Sequence, residues 1–197
     1  MVTELTACYP RIVSELPGCP TPLVAQVLLD VIREFCTESQ CWQEEVDAIN
    51  IQEDVDEYDL DVSGAEIIMP VRVTLNDGDL DPELDYVMSE RTVLKLVATP
   101  DADDLAALEV RVALRPCLVP TPATTICTRL FSDWHEAWEA GTKARLMVQP
   151  DKAWTNIAQS NYWAKIYWTR IGQARVDVNR GGTPLQVQIK ARYPFAV

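Results

Sequence analysis

The sequence predicts an α+β protein: a helical bundle of one N-terminal and two C-terminal helices, an inserted small antiparallel β-domain, and a C-terminal extended strand. Three observations predict it. Apolar residues repeat at helical spacing in two separate regions, the segment between them alternates with a period of two, and the last residues alternate again. The bundle is assigned to residues 1–41 and 120–182, the β insertion to 42–119 and a terminal arm to 183–197.

The first helix is expected to open at Thr21-Pro22, a hydroxyl N-cap followed by proline at the first helical position, where a missing N–H costs nothing. Leu23, Val24, Val27, Leu28, Val31, Ile32 and Phe35 then share one stripe, with Gln26, Asp30, Arg33 and Glu34 off it. That stripe faces a core.

Between Cys41 and Arg115 the alternation predicts strands over 44–51, 57–62, 66–75, 92–98 and 108–114, forming one mostly antiparallel sheet. The last is clearest, with Leu108, Val110, Val112 and Leu114 alternating with Glu109, Arg111 and Ala113. The connections at 54–56, 76–79 and 100–104 are acidic. At Asp77-Gly78 the glycine is expected to supply the positive φ of a tight turn.

After the proline-rich stretch 116–122, Cys127, Leu130, Phe131, Trp134 and Trp138 return to helical spacing and Gly141 continues the face, with Pro150 marking the end. A last helix runs over 156–179, capped by Asn156 and stopped by Gly181-Gly182. Its stretch Tyr162, Trp163, Ile166, Tyr167, Trp168 is apolar nearly all round, so the helix is expected to be covered on more than one side. Leu185, Val187, Ile189, Ala191 and Tyr193 then alternate with Gln186, Gln188, Lys190 and Arg192, a strand open to pairing with its own sheet or a partner's.

Composition bounds the function. With 48% apolar and 24% charged residues the chain has ordinary globular usage, and its 197 residues suit one domain or one body with an insertion. The first twenty residues carry Glu4 and Glu15 without a basic leader, unlike a secretory signal, and no apolar run is long enough to span a membrane. Residues 1–110 hold 25 carboxylates against 5 basic side chains, and residues 111–197 hold 5 against 12. This asymmetry suggests an acidic end and a basic end with different partners; a solvated acidic face is the plain alternative. Strong acidity disfavours nucleic-acid binding, which needs clustered cations against phosphates.

No chemistry is signalled. Cys8, Cys19, Cys36, Cys41, Cys117 and Cys127 form no CxxC pair and are expected to be reduced, mostly buried thiols. His135 is the single histidine, which rules out a multi-histidine metal site and favours a structural or surface role. The carboxylates at 54–59 and 76–81 alternate as calcium loops do, but the glycine and terminal glutamate of such loops are missing or misplaced. No phosphate-cradling glycine loop or nucleophile elbow occurs. The sequence therefore suggests no catalytic residue, metal or cofactor. The six tryptophans (42, 134, 138, 154, 163, 168) flank or lie in the helical part and suit both core and interface.

Two stretches carry a family resemblance. The first is Val-Leu-Leu-Asp-Val-Ile-Arg-Glu-Phe-Cys-Thr-Glu-Ser at 27–39 followed by Trp42-Gln43-Glu44-Glu45. The second is Glu-Ala-Trp-Glu-Ala-Gly-Thr-Lys-Ala-Arg-Leu-Met at 136–147 followed by Pro-Asp-Lys-Ala-Trp-Thr-Asn-Ile-Ala at 150–158. In this order they resemble the head-to-tail adaptor (connector) family of tailed bacteriophages, which includes the tail tubular A proteins of short-tailed phages. The resemblance implies a structural virion protein in the neck between capsid portal and tail, assembled in the host cytoplasm. It implies a homo-oligomeric, twelve-subunit ring that contacts the portal protein and a tail or nozzle protein, with viral DNA passing through unbound. On this reading Tyr162, Trp163, Ile166, Tyr167 and Trp168 form the subunit interface. Leu185, Val187, Ile189, Lys190, Arg192, Tyr193 and Phe195 form the portal-binding arm.

Three alternatives stay open: another neck or tail-completion protein, a monomeric acidic binding module that mimics DNA, and, last, an enzyme built around His135. The aromatic helix discriminates, because a monomer should bury Trp163 and Trp168 internally whereas a ring leaves them exposed until assembly.

Overall fold

The computed structural model describes residues 2–62, 64–76, 78–98, 107–118 and 125–180, the side chains of 2–4 and 125 excepted. The N-terminal residues, which carry no clear period, form strand β1 (Val2–Glu4), a 3-10 turn (Leu5–Cys8) and the short helix α1 (Tyr9–Val13). Helix α2 follows over Thr21–Ser39. It begins one residue earlier than Thr21-Pro22 suggests: Pro20 occupies the cap position and its carbonyl accepts from the amides of Leu23 and Val24, while no side chain caps the turn. Pro22 still falls in the first turn, where it forfeits no helical hydrogen bond. The helix stops where Gln40 turns left-handed (φ 54°) and its amide returns to the carbonyl of Cys36.

The inserted segment holds β2 (Gln43–Glu45), β3 (Ile49–Asn50), β4 (Glu57–Asp59), β5 (Ala65–Leu75), β6 (Gly78–Asp79), β7 (Tyr86–Glu90), β8 (Val93–Leu96) and β9 (Ala107–Pro116). These make two sheets rather than one. β2, β9, β5 and β6 lie side by side with β3 also on β9, and β4, β8 and β7 form a separate three-stranded sheet; every ladder is antiparallel.

The single strand expected over 44–51 is broken. Glu45 pairs with Arg111 and Ile49 with Leu108, so one strand carries an extra residue that bulges out between β2 and β3. β7 was not expected, because its five residues, Tyr-Val-Met-Ser-Glu, are short and bulged at Ser89. In the hairpin between β5 and β6 the left-handed residue is Asn76 (φ 52°) rather than Gly78, which lies in the ladder opposite Leu75. Asparagine tolerates this conformation because its short amide bonds locally.

β10 (Thr125–Cys127) pairs with β1 and leads into α3 (Thr128–Met147), and α4 (Ile157–Asn179) completes the described chain. Asn156 caps α4 as expected, its side chain accepting from the amide of Gln159 at 3.1 Å.

The helix with a stretch enclosed on every side is α3, not α4. Residues 137–144 are all buried, including Glu139 and Lys143, because α1 and α2 cover one side of α3 and α4 the other. Trp138 is wholly enclosed, with Phe35 of α2 edge-on at 6.3 Å between ring centroids and Phe131 at 6.3 Å. Phe35 also meets Trp134 at 5.5 Å and Tyr167 of α4 at 6.2 Å, so one aromatic cluster joins three helices. Truncating such a fully buried aromatic to alanine costs about 3–5 kcal/mol.

The apolar inner face of β9 packs on the other side of α2, so helices and sheets share one continuous core. Its rim is tied by Glu66 of β5, which accepts from Arg33 at 2.9 Å and Arg115 at 3.1 Å.

Candidate functional site

The outward face of α4 is the largest departure from an ordinary helix surface. Tyr167, Ile171 and Ala174 point inward and are buried, whereas Trp168 is 54% and Tyr162 60% exposed. Ile157 and Val176 of the same helix are exposed as well. Scattered apolar residues are normal on a surface; an exposed tryptophan and tyrosine within two turns of one helix make a patch of the kind that meets a partner.

The five residues assigned to a subunit interface thus divide. Tyr162 and Trp168 face solvent, while Trp163 and Ile166 are half-buried against the core. Tyr167 is corrected: it belongs to the chain's own interior, its hydroxyl proton shared between the Val31 carbonyl at 3.0 Å and Glu34 Oε2 at 2.8 Å. Its burial, and then the Glu34 carboxylate, push its pKa well above the usual tyrosine range. The expectation that α4 is covered on more than one side is likewise corrected, since α3 alone takes most of its inner face. The arm residues Leu185, Val187, Ile189, Lys190, Arg192, Tyr193 and Phe195 lie outside the described residues.

Much of the charge asymmetry along the chain is spent internally. Arg145 pairs with Glu34 at 2.7 Å, Arg170 with Glu136 at 3.2 Å, Arg111 with Glu45 at 2.5 Å, and Arg175 with Glu38. Lys143, nearly inaccessible, reaches Glu15 at 2.8 Å and lies over the Trp163 ring at 4.5 Å from its centroid. Five of the ten described basic side chains of the second half, Arg111, Arg115, Lys143, Arg145 and Arg175, thus dock on acids of the N-terminal half.

Burial raises the pKa of Glu139, with Arg11, 3.6 Å away, working against it. The Cys8 thiol beside it is pushed up to about 12, by burial first and the Glu139 charge second. Glu66 is lowered, chiefly by the Arg33 hydrogen bond.

In the three-stranded sheet Lys95 takes up Asp56 and Glu57, at 3.1 and 3.0 Å, and the other acids of the sheet and its turns remain unspent. Asp59, Asp61, Asp81, Glu83 and Asp85 are exposed. Here sequence reasoning missed a feature: Leu84 stands 71% exposed in the middle of the 81–85 turn, with Val97 58% exposed beside it. A leucine among four carboxylates was the available signal.

The other candidate groups are structural in their contacts. His135 stacks on Phe131 at 5.3 Å and its Nδ1 faces the Phe131 carbonyl at 3.0 Å. All six cysteines are free; Cys8, Cys19 and Cys36 are buried, and Cys41, Cys117 and Cys127 half-buried. Among the described residues no group of three or more His, Cys, Asp or Glu converges where a metal ion could sit. An open cleft of about 330 Å³ over the larger sheet is lined by Arg72 and Arg111, but each guanidinium already holds a carboxylate, Asp79 and Glu45, at 2.5 Å. No helix among the described residues is long and apolar enough to cross a membrane.

No protein-family model matches this chain, and no curated protein matches it.

Proposed function

We propose that the protein is a structural ring subunit of a tailed-phage neck, a head-to-tail adaptor that joins the portal to the tail, rather than an enzyme. The observation that carries this reading is Trp168, with Tyr162, left exposed on a helix whose inner face has already completed the core. Burying an aromatic of this size removes roughly 150–250 Å² from water, and with Trp168 54% exposed α4 collects only about half of that gain within the monomer. Neighbouring copies collect it in a closed ring, which the family resemblance puts at twelve subunits. The acidic turns suit a DNA channel, since like charge offers phosphates no counterion-release gain. A monomeric acidic binding module is disfavoured by the same residue, because it would have no use for an outward Trp168.

The test is the mass of the purified chain by light scattering, alone and mixed with the portal protein of the same phage. A chain that gathers into a defined ring on the portal is the expected result; one that stays monomeric and indifferent to the portal overturns the reading.

A further inference from the structure

Two exposed features of this chain carry opposite charge, and the described residues explain neither. The first is the 81–85 turn. Four hydrogen bonds hold it: Asp81 N to Asp85 Oδ2 at 2.8 Å, Asp85 N to Asp81 O at 3.0 Å, Glu83 N to Tyr86 O at 2.8 Å, and Val97 N to Asp85 O at 2.9 Å. Glu83 is held left-handed, at φ 69°. This ordering presents Leu84 to solvent between two carboxylates, an apolar knob whose position is set before any partner arrives.

The second is the centre of the outward face of α4, where Lys165, Trp168, Thr169 and Gly172 stand at the i, i+3, i+4 and i+7 positions that make a four-residue hole on a helix. Gly172 has no explanation among the described residues. A glycine inside a helix weakens it, and a Cβ built here meets nothing within 4 Å, so no described neighbour requires its absence. Gly141 of α3, by contrast, has Val31 and Tyr167 pressed against it. Of the other basic residues of α4 before its C-cap, Arg170 and Arg175 are each paired with a carboxylate of their own chain, whereas Lys165 has no such partner among the described residues.

We infer that Leu84 of one copy seats in the Lys165–Trp168–Thr169–Gly172 hole of a second copy, with Glu83 meeting Lys165. This rests on the ring reading above and specifies which surfaces join. The occupant is another copy because the same chain carries both halves. A two-fold pairing of α4 with itself would set Lys165 against Lys165, while knob into hole brings opposite charges together. Such a contact uses two different surfaces and therefore propagates head to tail, closing into a ring when the rotation per subunit allows.

The experiment counts copies bound per portal ring by sedimentation velocity, for the parent chain and for Gly172→Leu, which fills the hole, and Leu84→Asp, which removes the knob. Thermal melts accompany each. Gly172→Leu is expected to melt no lower than the parent, since leucine is the better helix former at an exposed site, yet both variants should bind at least tenfold more weakly and lose cooperativity. An equimolar mixture of the two should recover part of the binding, because each supplies the half the other lacks. Lys165→Glu should fail alone and recover with Glu83→Lys. If the parent forms rings and both single variants do too, the interface is overturned while the ring stands; if the parent forms none, both readings fall. Loss by Gly172→Leu alone, with Leu84→Asp binding as the parent does and no recovery on mixing, assigns the hole to the portal and overturns the pairing of copies.

Discussion

Tyr167 lies across Gly141: a Cβ added to that glycine would stand 2.8 Å from Cδ2 of the tyrosine and 2.7 Å from Cγ1 of Val31. The ring cannot step aside without breaking the hydrogen bonds of its hydroxyl to Val31 and Glu34. Three helices therefore meet at one missing methyl group.

Gly141→Ala is accordingly expected to destabilise the chain, although alanine is the better helix former by about 1 kcal/mol. Overpacking costs roughly 1–3 kcal/mol and wins where both neighbours are fixed. Gly172→Ala, where a Cβ meets nothing, should raise stability by up to about 1 kcal/mol. Differential scanning calorimetry of the two variants checks the pair; a Gly141→Ala chain that melts above its parent would contradict the contact.

Tyr167→Phe removes a buried hydroxyl bonded to a carbonyl and to a carboxylate, a loss of roughly 1.5–3 kcal/mol near neutral pH. Its pH dependence has a definite sign. The folded pKa lies above the unfolded value near 10, so the folded state holds the proton more tightly; this contribution is full below about pH 10 and declines as pH rises beyond it. Urea unfolding between pH 8 and pH 11 should show the parent losing this increment and Tyr167→Phe lacking that part of the slope.

Glu66 behaves in the opposite sense. Its pKa is held below the unfolded value, chiefly by Arg33, so its contribution is present above about pH 4.5 and is lost as pH falls through the lower folded value. Glu66→Gln should cost about 2 kcal/mol at pH 7, because it leaves the guanidiniums of Arg33 and Arg115 facing each other. Below pH 4 the stability difference between parent and variant should shrink, which acid titration of the unfolding free energy measures.

Asn156→Ala removes the oxygen that accepts from the amide of Gln159 at the start of α4 and should lower stability by about 1 kcal/mol. Amide exchange should rise in the first turn of α4 and remain unchanged at Tyr167, one of the anchors of its inner face. A uniform rise along the helix would mean that the cap holds the whole element in place.

The helices were legible because each carries its own period. The stripe from Leu23 to Phe35 is the face that α2 buries, and Asn156 is recognisable as a cap from its place before an apolar-periodic run. The short strands were less so: β7 spans five residues with one bulge, too few alternations to rise above a loop, and β2 and β3 look continuous until their pairing with β9 shows the extra residue.

The sequence by itself determined the α+β class, the order of helices around a β insertion and the face that α2 turns inward, because these follow from periodicities written within each segment. Tertiary structure alone decided which helix is surrounded. The aromatic stretch of α4 is the more apolar to the eye, yet α3 occupies the centre, since small residues such as Ala137, Ala140, Gly141 and Ala144 let neighbours close around it while long-range acids neutralise Lys143. It also decided that Tyr167 turns inward and Trp168 outward, a difference of 100° between adjacent helical residues that depends on where the neighbouring helix lies.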